Sequence, residues 1–439
     1  MLKTLVGAFK NKDIRKKILY TLMILVIVRV GSLLPIPGVD TEYFSSLLSG
    51  INTGDLSYLS AFTGGSFERM SLFALSITPY ITSSIIMQLL AIAIPKLEEM
   101  QKEGEDGRKK IAAITRYVTI ALALIESIAM AVGFGRSGLI KGYQGFSTLH
   151  YIVSIIVVVA ALTAGSAMLM WLGERITENG VGNGISIVLL INIISGMPSD
   201  FATLYSTFVA PRTIAKGVLA AAIIIAILVV MVVLVCFLQD GERRIPVQYS
   251  QKVSGRKTFG GQSTNIPLKV NTAGVMPVIF ASSLMQFPVI IAQLFGKSYE
   301  WTRYLSSSYW CRISAPKYSI GLILYIVLLI IFAYFYTSIT FNPIEVADNL
   351  KKAGGVIPGI TPGKSTSDYL NNILNYIVFV GAVGLLIIAL IPIMCTGFFN
   401  ASVSFGGTSV IIIVGVVLET LKQIESQMVN RYYKVVLRE

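Results

Sequence analysis

Residues 214–238 read IAKGVLAAAIIIAILVVMVVLVCFL. About 20 predominantly apolar residues of helix cross the hydrocarbon core of a bilayer, and this run is long enough to do so. Working outward from it, comparable runs lie near Ile18–Leu34, Ile77–Ile94, Ile111–Phe134, Tyr151–Leu172 and Gly184–Ile194 with flanks on the N-terminal side. On the C-terminal side they lie near Ala273–Phe295, Tyr318–Ile339, Ile373–Met394 and Thr408–Ile424. Ten membrane spans are therefore expected, and the fold class is an all-α membrane protein. Composition agrees. Of 439 residues, 54% are hydrophobic and 13% charged, where soluble domains carry roughly a quarter charged. A soluble globular enzyme is excluded.

The 36 Lys and Arg against 23 Asp and Glu leave a net charge of +13. In so apolar a chain that excess has to sit mainly in the loops. With the N-terminus in the cytoplasm, most Lys and Arg fall in inner segments, as the positive-inside rule requires, with Arg29 and Arg116 left inside spans. An even number of spans returns the C-terminus, with Lys422, Arg431, Lys434 and Arg438, to the cytoplasmic side of the inner cell membrane. The basic opening up to Lys17 precedes an apolar run without a small-residue cleavage site, so the first span is expected to stay in place. Ten spans divide into five and five. An odd number per half makes the second half enter the membrane in the opposite sense, so any structural repeat is an inverted one. The chain then divides into an N-terminal segment 1–17, halves 18–212 and 213–428, and a C-terminal tail 429–439.

Between the first two spans, residues 56–70 read LSYLSAFTGGSFERM. The segment is too short to cross and too apolar for a free loop, a pattern read as re-entrant or interfacial. Backbone that is not helical is tolerated at membrane depth only inside protein or beside a water-filled cavity. Gly64–Gly65 then suggests a short half-helix folded back into the protein. An amphipathic helix lying on the outer surface remains the alternative.

Two inner loops, 239–271 and 342–371, are long and basic. In the first, alternation around Ile245, Val247 and Tyr249 with Gly255, Gly260 and Gly261 as breakers reads as a projecting hairpin. The second carries Lys351, Lys352 and the turn-forming stretch Pro358–Gly363. Arg243, Arg244, Lys252, Arg256, Lys257, Lys351, Lys352 and Lys364 together make a docking surface for RNA backbone or an acidic protein face. The competing reading is that they only enforce topology or attract anionic lipid.

Catalytic signals are missing from the sequence. It has no Walker sequence and no catalytic constellation. One histidine, His150, and three cysteines, Cys236, Cys311 and Cys395, suggest no zinc site. Neither enzyme activity, metal nor cofactor is expected. Cys311 and Cys395 share the outer side of this topology and can pair if their Cα atoms come within about 7 Å. Arg29 and Glu126 are ionisable groups inside spans, where a paired or functional role is the default. Arg29 lies near the outer end at Leu34 and can snorkel; Glu126 is more central and is assigned no role.

Several stretches resemble the signatures of the SecY family: Asn271–Ser283 (NTAGVMPVIFASS), Phe405–Val410 (FGGTSV), Gly182–Ser186 (GNGIS) and Asn342–Lys352 (NPIEVADNLKK). So do Leu34–Gly38 (LPIPG), Pro79–Ser84 (PYITSS) and Gln262–Val270 (QSTNIPLKV). The stretches run from the first span to the last in family order. The resemblance implies a protein-conducting channel of two inverted five-helix halves around an hourglass pore, with a plug on the outer side and a lateral gate open to lipid. It implies as partners the small membrane subunits SecE and SecG, the ATPase SecA, translating ribosomes, secretory precursors with their signal peptides, and membrane lipid. Matched motif by motif, the pore ring falls on Ile81, Ile85, Leu189, Ile279 and Ile412, and the plug on 56–70, with Leu59, Phe62, Gly64, Gly65 and Phe67. One position departs from the family: Thr361 stands in GITPG where the pattern has Arg, and no role is carried over to it.

The residues support parts of that reading directly. Ile81 and Ile85, four apart, share one helix face. An aliphatic collar gates a narrow passage by dewetting, because it offers water and ions no polar partner. The lateral gate is expected between spans two and three and spans seven and eight, with Gln88 and Asn271 as cross-interface amides. Ser282 and Ser283 would permit close approach there, although ordinary helix packing also explains small residues. A secondary transporter with inverted repeats is the alternative function, but it needs converging polar groups at mid-membrane.

Overall fold

The computed structural model describes residues 9–50, 63–135, 148–211, 214–249, 252–254, 257–259, 263–294, 300–306, 309–311, 316–399 and 407–436. Helix α1 (Lys12–Leu33) starts at Asn11, whose side-chain oxygen accepts the Asp13 amide at 3.2 Å, and stops just ahead of Pro35. After α2 (Thr41–Gly50) comes α3 (Thr78–Ala93), opened by Pro79 in its first turn. Pro95 starts α4 (Pro95–Lys102) on a new axis, bent by 106° from α3. Then come α5 (Glu105–Phe134), α6 (Thr148–Asn179) and α7 (Gly184–Leu204). Helix α7 is capped by Asn183 and continues past Pro198 into a π turn at Tyr205–Val209.

The second half opens with α8 (Ile214–Asp240), followed by strands β1 (Glu242–Tyr249), β2 (Lys252–Ser254), β3 (Lys257–Phe259) and β4 (Ser263–Lys269). Next are α9 (Met276–Leu294), α10 (Glu300–Leu305), α11 (Ile320–Thr340) and α12 (Pro343–Lys352). Strand β5 (Gly355–Val356), α13 (Lys364–Phe399) and α14 (Gly407–Val436) complete the chain. Each of the ten apolar runs thus has its helix among the described residues: α1, α3, α5, α6, α7, α8, α9, α11, α13 and α14. By length and composition alone, six helices can cross a membrane, or seven if the bent α3–α4 pair counts as one span.

The order of contacts reveals the repeat that the sequence hides. In the first half α1 packs on α6 and α7, α3 on α5, α5 on α6, and α6 on α7. In the second half the corresponding pairs recur: α8 on α13 and α14, α9 on α11, α11 on α13, and α13 on α14. The halves meet where α5 touches α9 and α7 touches α14. Apolar side chains from both halves merge there into one cluster, which includes Val28, Val188, Val278, Leu329 and Ile411, each fully enclosed. Lipid tails are as apolar as leucine, so this association relies on close packing rather than on expelling water. Outward faces are correspondingly bare: Val218, Leu219, Ile225 and Phe237 of α8 are exposed.

Two regions depart from helix. On the inner side β1 pairs antiparallel with β4 (Ile245 opposite Ile266) and with β5 (Gln248 opposite Val356), giving the strand order β4–β1–β5. The alternation in β1 buries Ile245 and Val247 against Leu350, Ile357 and Leu370. The two inner loops are therefore one small folded unit with its own apolar core. On the outer side Gly64 and Gly65 take φ of +62° and +79°, which an α-helix cannot continue through. Thr63 is helical and residues 64–70 are a run of turns, so the backbone leaves helix at the glycine pair, while 56–62, including Leu59 and Phe62, lie outside the described residues.

Candidate functional site

The five aliphatic residues expected to ring the pore come from four helices and belong to a single cluster. Ile81 and Ile85 of α3 are half-buried; Leu189 of α7, Ile279 of α9 and Ile412 of α14 are buried. On α3 the buried stripe Pro79, Ser83, Met87 and Ala91 lies on the face away from Ile81 and Ile85. The Ser83 hydroxyl donates to the Thr115 carbonyl at 2.8 Å, tying that stripe to α5. This anchoring turns Ile81 and Ile85 away from that stripe, and both pack against the large apolar cluster that also holds Leu189, Ile279 and Ile412.

The outer segment reaches the same place. Gly64 lies so close to α7 that an added Cβ would stand 2.6 Å from both the Asn192 carbonyl oxygen and Ser195 Oγ. Ser195 Oγ donates to the Gly64 carbonyl at 3.5 Å, and Asn192 Nδ2 donates to Ser76 Oγ at 3.1 Å. Asn192 follows Leu189 by about one helical turn, so Gly64 lies within about a turn of Leu189 along α7. Downstream it is tethered by apolar anchors. Phe67 and Met70 join Phe44 and Phe134 in a second cluster, and the Phe73 ring lies against Gly31 of α1, where a side chain would strike it. Asn192, Ser195 and Ser76 escaped the sequence reading. A lone amide inside an apolar run was the signal available for Asn192.

The gate residues do not meet as expected. Asn271 donates to the Gly274 carbonyl, 2.9 Å away in its own turn, while Gln88 Nε2 reaches Ser84 one turn back at 3.5 Å. The Gln88 carbonyl oxygen is buried without a partner among the described residues. Ser282 is buried and shares a hydrogen bond with Tyr325 of α11, within its own half; Ser283 is half-buried. Among the described residues the halves approach one another where α5 meets α9 and where α7 meets α14. A short polar side chain reaches the nearest backbone more easily than a partner across an interface.

The basic residues spread over the inner unit. Arg243 and Arg244 are exposed on β1, and Arg244 is held by Glu242, at 2.8 Å from Nε and 2.6 Å from Nη2. Lys351 and Lys352 are exposed in the last turn of α12, where a helix end favours cations, and Lys364 is exposed at the start of α13. Lys252 and Lys257 lie in the β2–β3 ladder; Arg256 lies outside the described residues. Thr361 is exposed, and its carbonyl accepts the Thr366 hydroxyl at 3.0 Å between the turn glycines Gly359 and Gly363.

A polytopic helical membrane protein whose two halves repeat one packing order around a shared apolar cluster is built as a channel. The SecY family model matches residues 71–421. The protein translocase subunit SecY of Streptomyces galbus is 44% identical over the whole of both chains, and that of Halalkalibacterium halodurans is 42% identical over 99% of each. The chain belongs to the SecY family. Its fold is that of a solved protein conducting channel, with a TM-score of 0.61 at 18% identity over 94% of this chain and 92% of that one. A SecY structure described for a plug domain that stabilises the closed channel matches at a TM-score of 0.60 and 19% identity, with the same coverage of both chains.

Proposed function

We propose that this chain, a protein-conducting subunit of the cytoplasmic-membrane translocase, holds its pore shut with Ile81, Ile85, Leu189, Ile279 and Ile412. The gathering of all five, from both halves, in one apolar cluster carries this reading. Aliphatic walls exclude water and ions, yet their side chains can swing aside for a polypeptide of any sequence. The segment 56–70 acts as the plug, latched to α7 by Asn192 and Ser195 beside the ring. A hydrophobic signal segment parts α3 and α5 from α9 and α11, where side-chain hydrogen bonds are worth only ~0.6 to 2 kcal/mol each. Unfolded secretory chains then pass through, and apolar segments leave sideways into lipid.

The halves are 18–212 and 213–428, with both termini in the cytoplasm. The chain is not itself an enzyme; the ATPase SecA or a translating ribosome supplies the work, docking on the basic inner unit. SecE and SecG cover bare outer helix faces. One related solved structure is described as Sec61 in a ribosome-channel complex, which supports an inner surface of this kind. A transporter is not favoured, because the centre of the described structure is aliphatic.

Planar-bilayer conductance tests the ring. Ile279→Asn and Ile412→Asn should each raise ion leak at least several-fold, since a polar side chain lets water wet the constriction. Leak unchanged in both variants would remove the ring assignment.

A further inference from the structure

Arg29 and Arg69 have no role in the channel mechanism described above. Arg29 lies on α1, on the border between its buried face (Ile24, Val28, Gly31) and its bare face (Val26, Val30, Leu33). Among the described residues, its Nη1 is buried and has no hydrogen-bond partner. Among the described residues, the charge that acts on it is another cation, Arg69. That neighbour is held in place by the backbone. The Ile36 amide donates to the Met70 carbonyl at 3.1 Å and the Leu72 amide to the Leu34 carbonyl at 2.9 Å, so residues 69–72 are fastened to the outer end of α1. Arg69 itself is exposed.

A buried guanidinium nitrogen with no acceptor and a like charge beside it is costly, and an anion between the two cations removes both costs. The depth identifies the anion. Arg29 precedes Leu34 by five residues, about 7.5 Å along the helix, a distance a long side chain spans to reach the headgroup level. The pair also borders the lipid-facing stripe of α1. We propose that Arg29 and Arg69 form a binding site for the phosphate of an anionic phospholipid in the outer leaflet. The lipid would bridge α1 and the end of the plug segment, so that the lipid composition of that leaflet bears on how firmly the plug is rooted.

The test uses the intact translocon complex, purified and delipidated in detergent, with three probes: phosphatidylglycerol, phosphatidylcholine and inorganic phosphate. Native mass spectrometry reads bound lipid, and the thermal unfolding midpoint reads stabilisation. Phosphatidylglycerol should bind most tightly, and Arg29→Gln and Arg69→Gln should each weaken it about tenfold, the loss expected of one charge-assisted contact. Arg69 is exposed, so its variant reports even where Arg29→Gln does not fold. Undiminished phosphatidylglycerol binding by Arg69→Gln overturns the site. Equal binding of phosphatidylcholine overturns the charge argument, and stabilisation by inorganic phosphate equal to that by lipid overturns the assignment to a membrane source.

Discussion

The inner sheet unit and the outer plug segment are the two places where this chain leaves helix, and they are held in opposite ways. In the sheet, β1 is hydrogen-bonded to a strand on either side and covers a private apolar core. The described part of the outer segment consists of local turns, and just past its end one bridge, Pro35 with Ser71, ties it to the chain after α1. Its root is deeply buried through Met70 and Phe73, while near the ring it meets α7 through a few polar contacts and a close glycine. A docking surface has to keep its shape under load. A plug has to stay attached while its tip moves away, which a strong tether and a weak latch provide.

The contrast breaks most sharply if the sheet loses its core. Val247→Asp places a charge among Leu268, Leu350 and Leu370, and should destabilise the unit by about 3 kcal/mol or more. Limited proteolysis should then cut the inner loops, and SecA or ribosome binding should vanish. Loops that stay intact would mean the sheet is not the structural unit described.

A smaller effect tests the latch. Gly64→Ala adds left-handed strain, about 1 kcal/mol, and a clash with α7; Gly65→Ala adds the strain alone, having open space around it. Gly64→Ala should therefore loosen the plug more, read as a higher resting ion conductance. Equal conductance in the two variants would show that contact with α7 does not hold the plug.

The smallest expected difference lies within one pair. Arg243→Glu should weaken docking several-fold at low salt, fading as salt rises with a Debye length of about 10 Å at 0.1 M. Arg244→Glu should do less, because Glu242 already neutralises Arg244. Identical losses in a binding titration would mean that the Glu242 pairing does not persist in solution.

Much of this architecture was legible in the sequence. The spans announce themselves because a bilayer demands length and apolarity, and the hairpin because Ile245 and Val247 alternate. Gly64–Gly65 marked a break. The joining of the two inner loops was hidden, since β5 has only two residues, Gly355 and Val356, too few to make a pattern. The gate amides misled because a neighbouring backbone carbonyl satisfies Asn271 before any distant group can. The internal repeat left no trace visible in the residues. It is carried by which helix packs on which, and unrelated side chains can fill equivalent spaces.

The shared sheet also sets the path of mechanical force. Both inner loops belong to the second half, with β1 and β4 continuing from α8 toward α9, and β5 lying between α12 and α13. A push on the hairpin enters the membrane on that side and reaches the first half across the α5–α9 and α7–α14 seams. A partner docked on the inner unit, as proposed above, would load the second half like a hand on one leaf of a door, whereas the outer segment is fastened to α1 and α7 of the first.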